Sequence, residues 1–138
     1  MSLRVQRVQQ EVSLLQAAGF RVNWDIVEGN WVEISNFPLP ASLGQPSTRL
    51  LLLIPKDYPN TPPNGIYVDQ GVRLPSHYFQ YRGDHNPLGD QGWGWYCFPV
   101  DPSGCGRWHP TTRVEAGDNL FKFIKLTNAL MRRTAGQR

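Results

Sequence analysis

The 138-residue chain is poor in cysteine and in long apolar runs, and each shortage removes a class of protein. Its longest aliphatic run, Leu50 to Ile54, is far shorter than the ~20 residues a membrane-spanning helix needs. The N-terminus lacks the apolar stretch of a secretory signal, because arginines and glutamines interrupt it throughout. A cytoplasmic protein with no membrane partner is therefore expected. The two cysteines, Cys97 and Cys105, can form at most one disulfide, and nothing else points to secretion, so free thiols are expected. There is no C-x2-C pair, which argues against a zinc site built from His85, Cys97, Cys105 and His109. The zinc-deaminase pattern is missing too, so neither metal nor cofactor is expected. No internal repeat is visible. Charged residues make up only 18%, with a net charge of +3. The basic residues are scattered as far as Arg113 and cluster only in Lys122, Lys125, Arg132, Arg133 and Arg138. Such a distribution fits a solvated helix face and a basic tail, not a nucleic-acid footprint.

What the chain has in quantity is proline and glycine, 12 and 13 residues, too many for a helical bundle. Apolar periodicity predicts an amphipathic helix over residues 2–18, with Ser2 as N-cap and Leu3, Val8, Val12 and Leu15 as its stripe, widened by Val5 and Leu14. Arg4, Arg7 and Glu11 fall on the other side, and Gly19 ends the helix. Phe20, Val22, Trp24 and Ile26 alternate as a strand, Gly29-Asn30 supplies a turn, and a second strand runs from Trp31 to Phe37. A third is expected at Thr48 to Ile54 and a short fourth at Ile66 to Val68. From Asp69 to Gly117 the pattern dissolves into a loop too long to be a plain connector. Its aromatic residues, Trp93, Trp95, Tyr96, Phe98 and Trp108, predict that it is ordered. A final helix is expected at 118–133, capped by Asp118 and buried through Leu120, Phe123, Ile124, Thr127, Leu130 and Met131. This order describes an α+β domain with a helix-covered antiparallel sheet.

Two stretches carry more specific information. Residues 55–63 read PKDYPNTPP directly after the aliphatic strand; repeated prolines fix φ and force a rigid, extended exit, with Tyr58 packed on the fold and its hydroxyl seeking a partner. Residues 92–110 read GWGWYCFPVDPSGCGRWHP. A strand running into Pro55, Tyr58-Pro59 and Pro62-Pro63, then Gly94, Cys97 and Trp108-His109-Pro110 ahead of a helix, resembles the ubiquitin-conjugating enzyme family over about residues 3–131. The resemblance implies a UBC-like fold: an N-terminal helix, a four-stranded antiparallel meander, a long ordered active-site loop and a C-terminal helix. Residues 1–133 would form the one domain and 134–138 a basic tail.

It further implies that Cys97 accepts a ubiquitin-like modifier as a thioester from an activating enzyme and passes it to an amine on a target protein. Cys105 competes, but it sits three residues before Trp108 between two glycines, whereas Cys97 holds the family position. The family's His-Pro-Asn triplet is reordered here to His85-Asn86-Pro87, with Asn86 eleven residues before Cys97. Asn86 either stabilises the oxyanion or makes a plain Asn-Pro turn. His85 and His109 either take a proton from the incoming amine or bond within the loop. Asp101 is a candidate for steering that amine. The displaced asparagine is similar to bacterial branches of the family, whose members commonly accompany activating enzymes in anti-phage defence operons, some with a cyclic-nucleotide synthase that would be the acceptor. Arg4 and Arg7 lie on the helix where family members often dock the activating enzyme. Two other readings stay open: a non-catalytic module holding a ubiquitin-like protein, and a Cys-His hydrolase.

Overall fold

A computed structural model describes residues 2–63, 65–72, 79–82, 88, 92–96 and 108–136. Helix α1 spans Leu3–Ala17; the Ser2 hydroxyl accepts from the Val5 N–H at 3.1 Å, the cap expected from sequence. Gly19 follows at φ 96°, a left-handed turn that glycine adopts without a Cβ clash. Among the described residues, six strands then form one antiparallel sheet: β1 Val22–Trp24, β2 Trp31–Pro38, β3 Ser47–Leu53, β4 Ile66–Asp69, β5 Phe79–Arg82 and β6 Trp93–Tyr96. Their order across the sheet is β1-β2-β3-β4-β6-β5. Helix α2, Leu120–Gly136, completes the domain.

Strand alternation sorts the apolar side chains into two layers. Val32, Ile34, Leu50, Leu52, Ile66 and Val68 face α1 and α2, where Val8, Val12, Leu15, Leu120, Phe123 and Met131 close the main core. The odd-numbered residues Leu51, Tyr67, Trp93 and Trp95 form a second cluster on the opposite face, partly covered by Trp31, Leu53 and Leu88. Tyr67 lies between the two tryptophans, 4.8 Å from the Trp95 ring and 6.3 Å from Trp93.

The expected four-stranded meander is thus too small. Residues 79–82 and 93–96, assigned from sequence to the loop between Asp69 and Gly117, extend the sheet, because Trp93 to Tyr96 pair with Asp69 to Ile66 along the open edge of β4. Strand β1 is shorter than its alternation suggests and stops at Trp24. The Asp25 carboxylate then accepts from the N–H groups of Val27, Glu28 and Asn30, holding a turn that leaves Ile26 and Val27 67% and 80% exposed. Asn119, not Asp118, caps α2: its side-chain oxygen accepts from Lys122 N at 2.9 Å. The helix also takes in residues 134–136, which the sequence assigned to a tail.

Candidate functional site

Glu11 is the residue that organises the site. Although a carboxylate belongs in water, this one is fully buried on α1 and receives several donors at once. Arg7 Nε donates to its Oε2 at 2.6 Å; the Tyr58 hydroxyl and the Leu120 N–H donate to Oε1 at 2.5 and 2.6 Å. One side chain therefore joins α1, the proline run after β3 and the first turn of α2, whose N-terminal dipole favours a negative charge. Burial pushes the Glu11 carboxyl above its usual range; Tyr58, Leu120 and Arg7 pull it part of the way back. Burial, then the adjoining Glu11 charge and hydrogen bond, raises the Tyr58 phenol, so it remains a protonated donor. This is the partner that the sequence required for the Tyr58 hydroxyl.

Arg7, expected on the exposed side of α1, is only 8% exposed. Its guanidinium donates to Glu11, to the Thr111 carbonyl and, at 3.3 Å, to the Asp118 carbonyl, so it straps residues 111–118 onto the helix. Glu11, expected on the same outer side, is buried with it. Arg4 is half-exposed, but it donates to the carbonyls of Pro55 (3.0 Å), Ile54 (2.6 Å) and Glu28 (2.7 Å) and to Asn30 Oδ1 (2.9 Å). Arg7, expected to be exposed, is corrected to an internal brace, whereas Arg4 stays half-exposed while it braces the 25–30 turn and the proline run. Both meet carbonyl groups that a guanidinium's fan of N–H donors can satisfy several at a time. Leu3, expected in the buried stripe, is 83% exposed beside Arg4.

The two sequence motifs meet in space. Trp108 Nε1 donates to the Pro59 carbonyl at 2.7 Å, and the Trp108 and Tyr58 rings lie 6.3 Å apart. Their neighbours close a second link: His109 N–H donates to Asp118 Oδ2 at 2.5 Å, and Asp118 N–H donates to the His109 carbonyl at 2.9 Å. Asp118 is therefore a clasp for the Trp-His-Pro segment and not the helix cap. Gly117 beside it admits no side chain, because a Cβ would come within 2.7 Å of the His109 carbonyl oxygen. The His109 ring itself is exposed.

The described ends of the segment that carries both cysteines lie against the middle of the proline run and just past its end. Tyr96, which closes β6, pairs with Ile66 at the start of β4; Trp108 is bonded to Pro59. Cys97, Asp101 and Cys105 fall between those ends, and His85 and Asn86 between β5 and β6; all lie outside the described residues. Of the four residues weighed as zinc ligands, only His109 is described, and no group of three metal-ligating side chains occurs among the described residues. Among those residues, too, no helix is long and apolar enough to cross a membrane.

The burial of Glu11 was missed in sequence. The residue stands three residues after Val8 and four before Leu15, inside the apolar arc, a placement that was itself the signal of a buried acid. No protein-family model, curated protein or solved structure matches the chain.

Proposed function

We propose that this chain is a conjugating enzyme of the ubiquitin type, relaying a ubiquitin-like modifier as a thioester on Cys97. The supporting observation is the meeting of its two motifs: Tyr58-Pro59 and Trp108 are far apart in sequence yet in contact, at the C-terminal end of the segment bearing Cys97. In the first step the Cys97 thiolate attacks the thioester carbonyl of the modifier on its activating enzyme. A new C–S bond forms, the old one breaks, and the activating enzyme's thiolate leaves. An ordinary thiol pKa near ~8.5 leaves a few per cent thiolate at neutral pH, enough once the two reacting atoms are held together. In the second step a target amine attacks the same carbonyl, an amide forms and the Cys97 thiolate leaves. The amine's proton goes to a base, for which His85 and His109 are the candidates; Asn86 is the candidate donor to the oxyanion, and Asp101 the candidate for guiding the amine.

The activating enzyme's docking surface is assigned to the same end of α1 as Arg4, but to apolar groups. Leu3, Ile26 and Val27 are the large apolar side chains most exposed among the described residues, and the Asp25 turn, braced by Arg4 at the Glu28 carbonyl, fixes the backbone that carries Ile26 and Val27. Rigid exposed apolar anchors suit a protein interface. A cytoplasmic setting in a bacterial anti-phage system, with a cyclic-nucleotide synthase as acceptor, completes the proposal. Mixing the chain with the cognate activating enzyme, ATP and modifier should give a slower-migrating adduct on gels that reductant removes. Cys97→Ala should abolish it and Cys105→Ala should not. An adduct that persists in Cys97→Ala overturns the assignment, and ATP-independent binding of the modifier without any adduct indicates a non-catalytic holder instead.

A further inference from the structure

We propose that the seam between α1 and α2 is a docking groove for a short acidic amphipathic helix of a partner protein. Two half-open cups lie along it. The first, about 250 Å³, is walled by Ala18, Phe20, Phe37, Pro38 and Ile124; the second, about 280 Å³, by Leu14, Asn119, Lys122 and Glu115, whose carboxylate is paired with Arg113. Phe121 and Lys125 border both and form the ridge between them, with the Lys125 ammonium 4.7 Å from the Phe121 ring centroid. The first cup exists because β1 is short. It begins only at Val22, paired with Ile34, so no β1 residue pairs with Phe37 and Pro38 at the far end of β2, beyond a bulge, and Phe37 is covered instead by the Phe20 ring.

The spacing and chemistry of the groove select its occupant. Leu14 in the second cup and Ala18 in the first are four residues apart on one helix, so the cups are offset by about 6 Å. Two apolar side chains at i and i+4 of a helix match that offset. An extended segment would need partners for its backbone all along the groove, and the amide and carboxylate side chains that line it are engaged or enclosed. Asn119 is occupied by Val114 O and Lys122 N, Asn128 Oδ1 is sealed from solvent, and Glu115 pairs with Arg113. A helix satisfies its own backbone and needs only apolar contact. The ammonium groups of Lys122 and Lys125 at the rim then call for acidic residues beside the two anchors.

The test is fluorescence anisotropy with a fluorescein-labelled, roughly 15-residue helical peptide of alanine, glutamine and glutamate carrying two leucines four residues apart. Saturable micromolar binding is expected, weakened about tenfold or more when the leucines are replaced by alanine. Ala18→Glu, at an exposed position outside the core, should block the first cup and weaken binding similarly. Lys125→Glu should weaken the acidic peptide and favour the same peptide with lysine in place of glutamate. Equal binding of the peptides with and without leucine would mean charge attraction alone and overturn the proposal. Indifference to Lys125→Glu, or no saturable binding, would overturn it as well. None of these readouts involves Cys97, so they stand apart from the outcome of the thioester assay.

Discussion

Two arginine–carboxylate pairs close at the same 2.6 Å on different layers of this domain, and only one of them holds the architecture together. Arg49 and Asp69 lie on the aromatic face of the sheet, with side chains 34% and 26% exposed and the guanidinium 4.0 Å from the Trp93 ring centroid. They join adjacent strands that the backbone ladder already pairs, and among the described residues their further bonds reach only Gln45, just before β3, and the Gly92 carbonyl, just before β6. Arg7 and Glu11 are almost fully enclosed, and their remaining hydrogen-bonding groups reach Tyr58, Leu120, Thr111 and Asp118, which no strand ladder connects. Equal geometry therefore carries unequal consequence. Water screens the first pair, whereas removing half of the second leaves a buried charge with nothing opposite it.

The largest expected effect follows from that asymmetry. Glu11→Ala should destabilise the domain by about 3–5 kcal/mol in urea unfolding, since it strands Arg7. A loss below about 1 kcal/mol would erase the distinction between the pairs. Tyr58→Phe keeps the ring and removes one donor to a buried carboxyl, and should cost about 1.5–3 kcal/mol. Asp69→Asn should cost no more than about 1 kcal/mol, and added salt should shrink that cost while leaving the Glu11→Ala cost unchanged. The smallest effect concerns Asp25. Its carboxyl is held below its usual range: the modest desolvation that opposes this is outweighed by the N–H groups of Glu28, Asn30 and Val27, with Arg4 adding to them. Native Asp25 therefore releases its proton at lower pH than the unfolded chain does. Its stabilisation is complete above the ordinary carboxyl pKa of about 3.9 and is lost as pH falls through the lowered native value. Asp25→Asn should lower the melting temperature slightly at neutral pH, and the difference from wild type should vanish in acid.

Glu11 also sharpens the contrast through pH, with the opposite sign. Because burial holds its native carboxyl above the unfolded value, native Glu11 keeps its proton longer than the unfolded chain. The corresponding stabilisation is full below the unfolded pKa and fades as pH rises through the native one. Wild type, compared with Glu11→Gln, should lose stability over that interval, and the two should run parallel outside it.

How much of this was legible in the sequence depended on whether a single period governed the residues. Leu50 to Ile54 and the stripe from Leu120 to Met131 follow one period each, and both elements lie where they are expected. Strand β6 was hidden because glycine alternates with its tryptophans, and Gly94 has no side chain to mark the inner face. Strand β5 alternates Phe79 and Tyr81 with Gln80 and Arg82, over too few residues to stand out from a loop. Arg7 and Glu11 were misplaced because polarity outweighed position. The helical spacing put Glu11 in the buried arc, but only the tertiary partners, Tyr58 and the first turn of α2, make a charge tolerable there. The closeness of the Tyr-Pro and Trp-His-Pro motifs was not legible from their order along the chain, and the Trp108 to Pro59 bond shows it.

The most direct measurement of the thioester proposal is intact-mass spectrometry with peptide mapping after a brief charging reaction with activating enzyme, ATP and modifier. The expected result is a mass gain of one modifier less one water, erased by excess thiol and mapping to the Cys97 peptide. A gain that maps to Cys105, one that resists thiol, or none at all under conditions where the activating enzyme itself becomes charged, would contradict it.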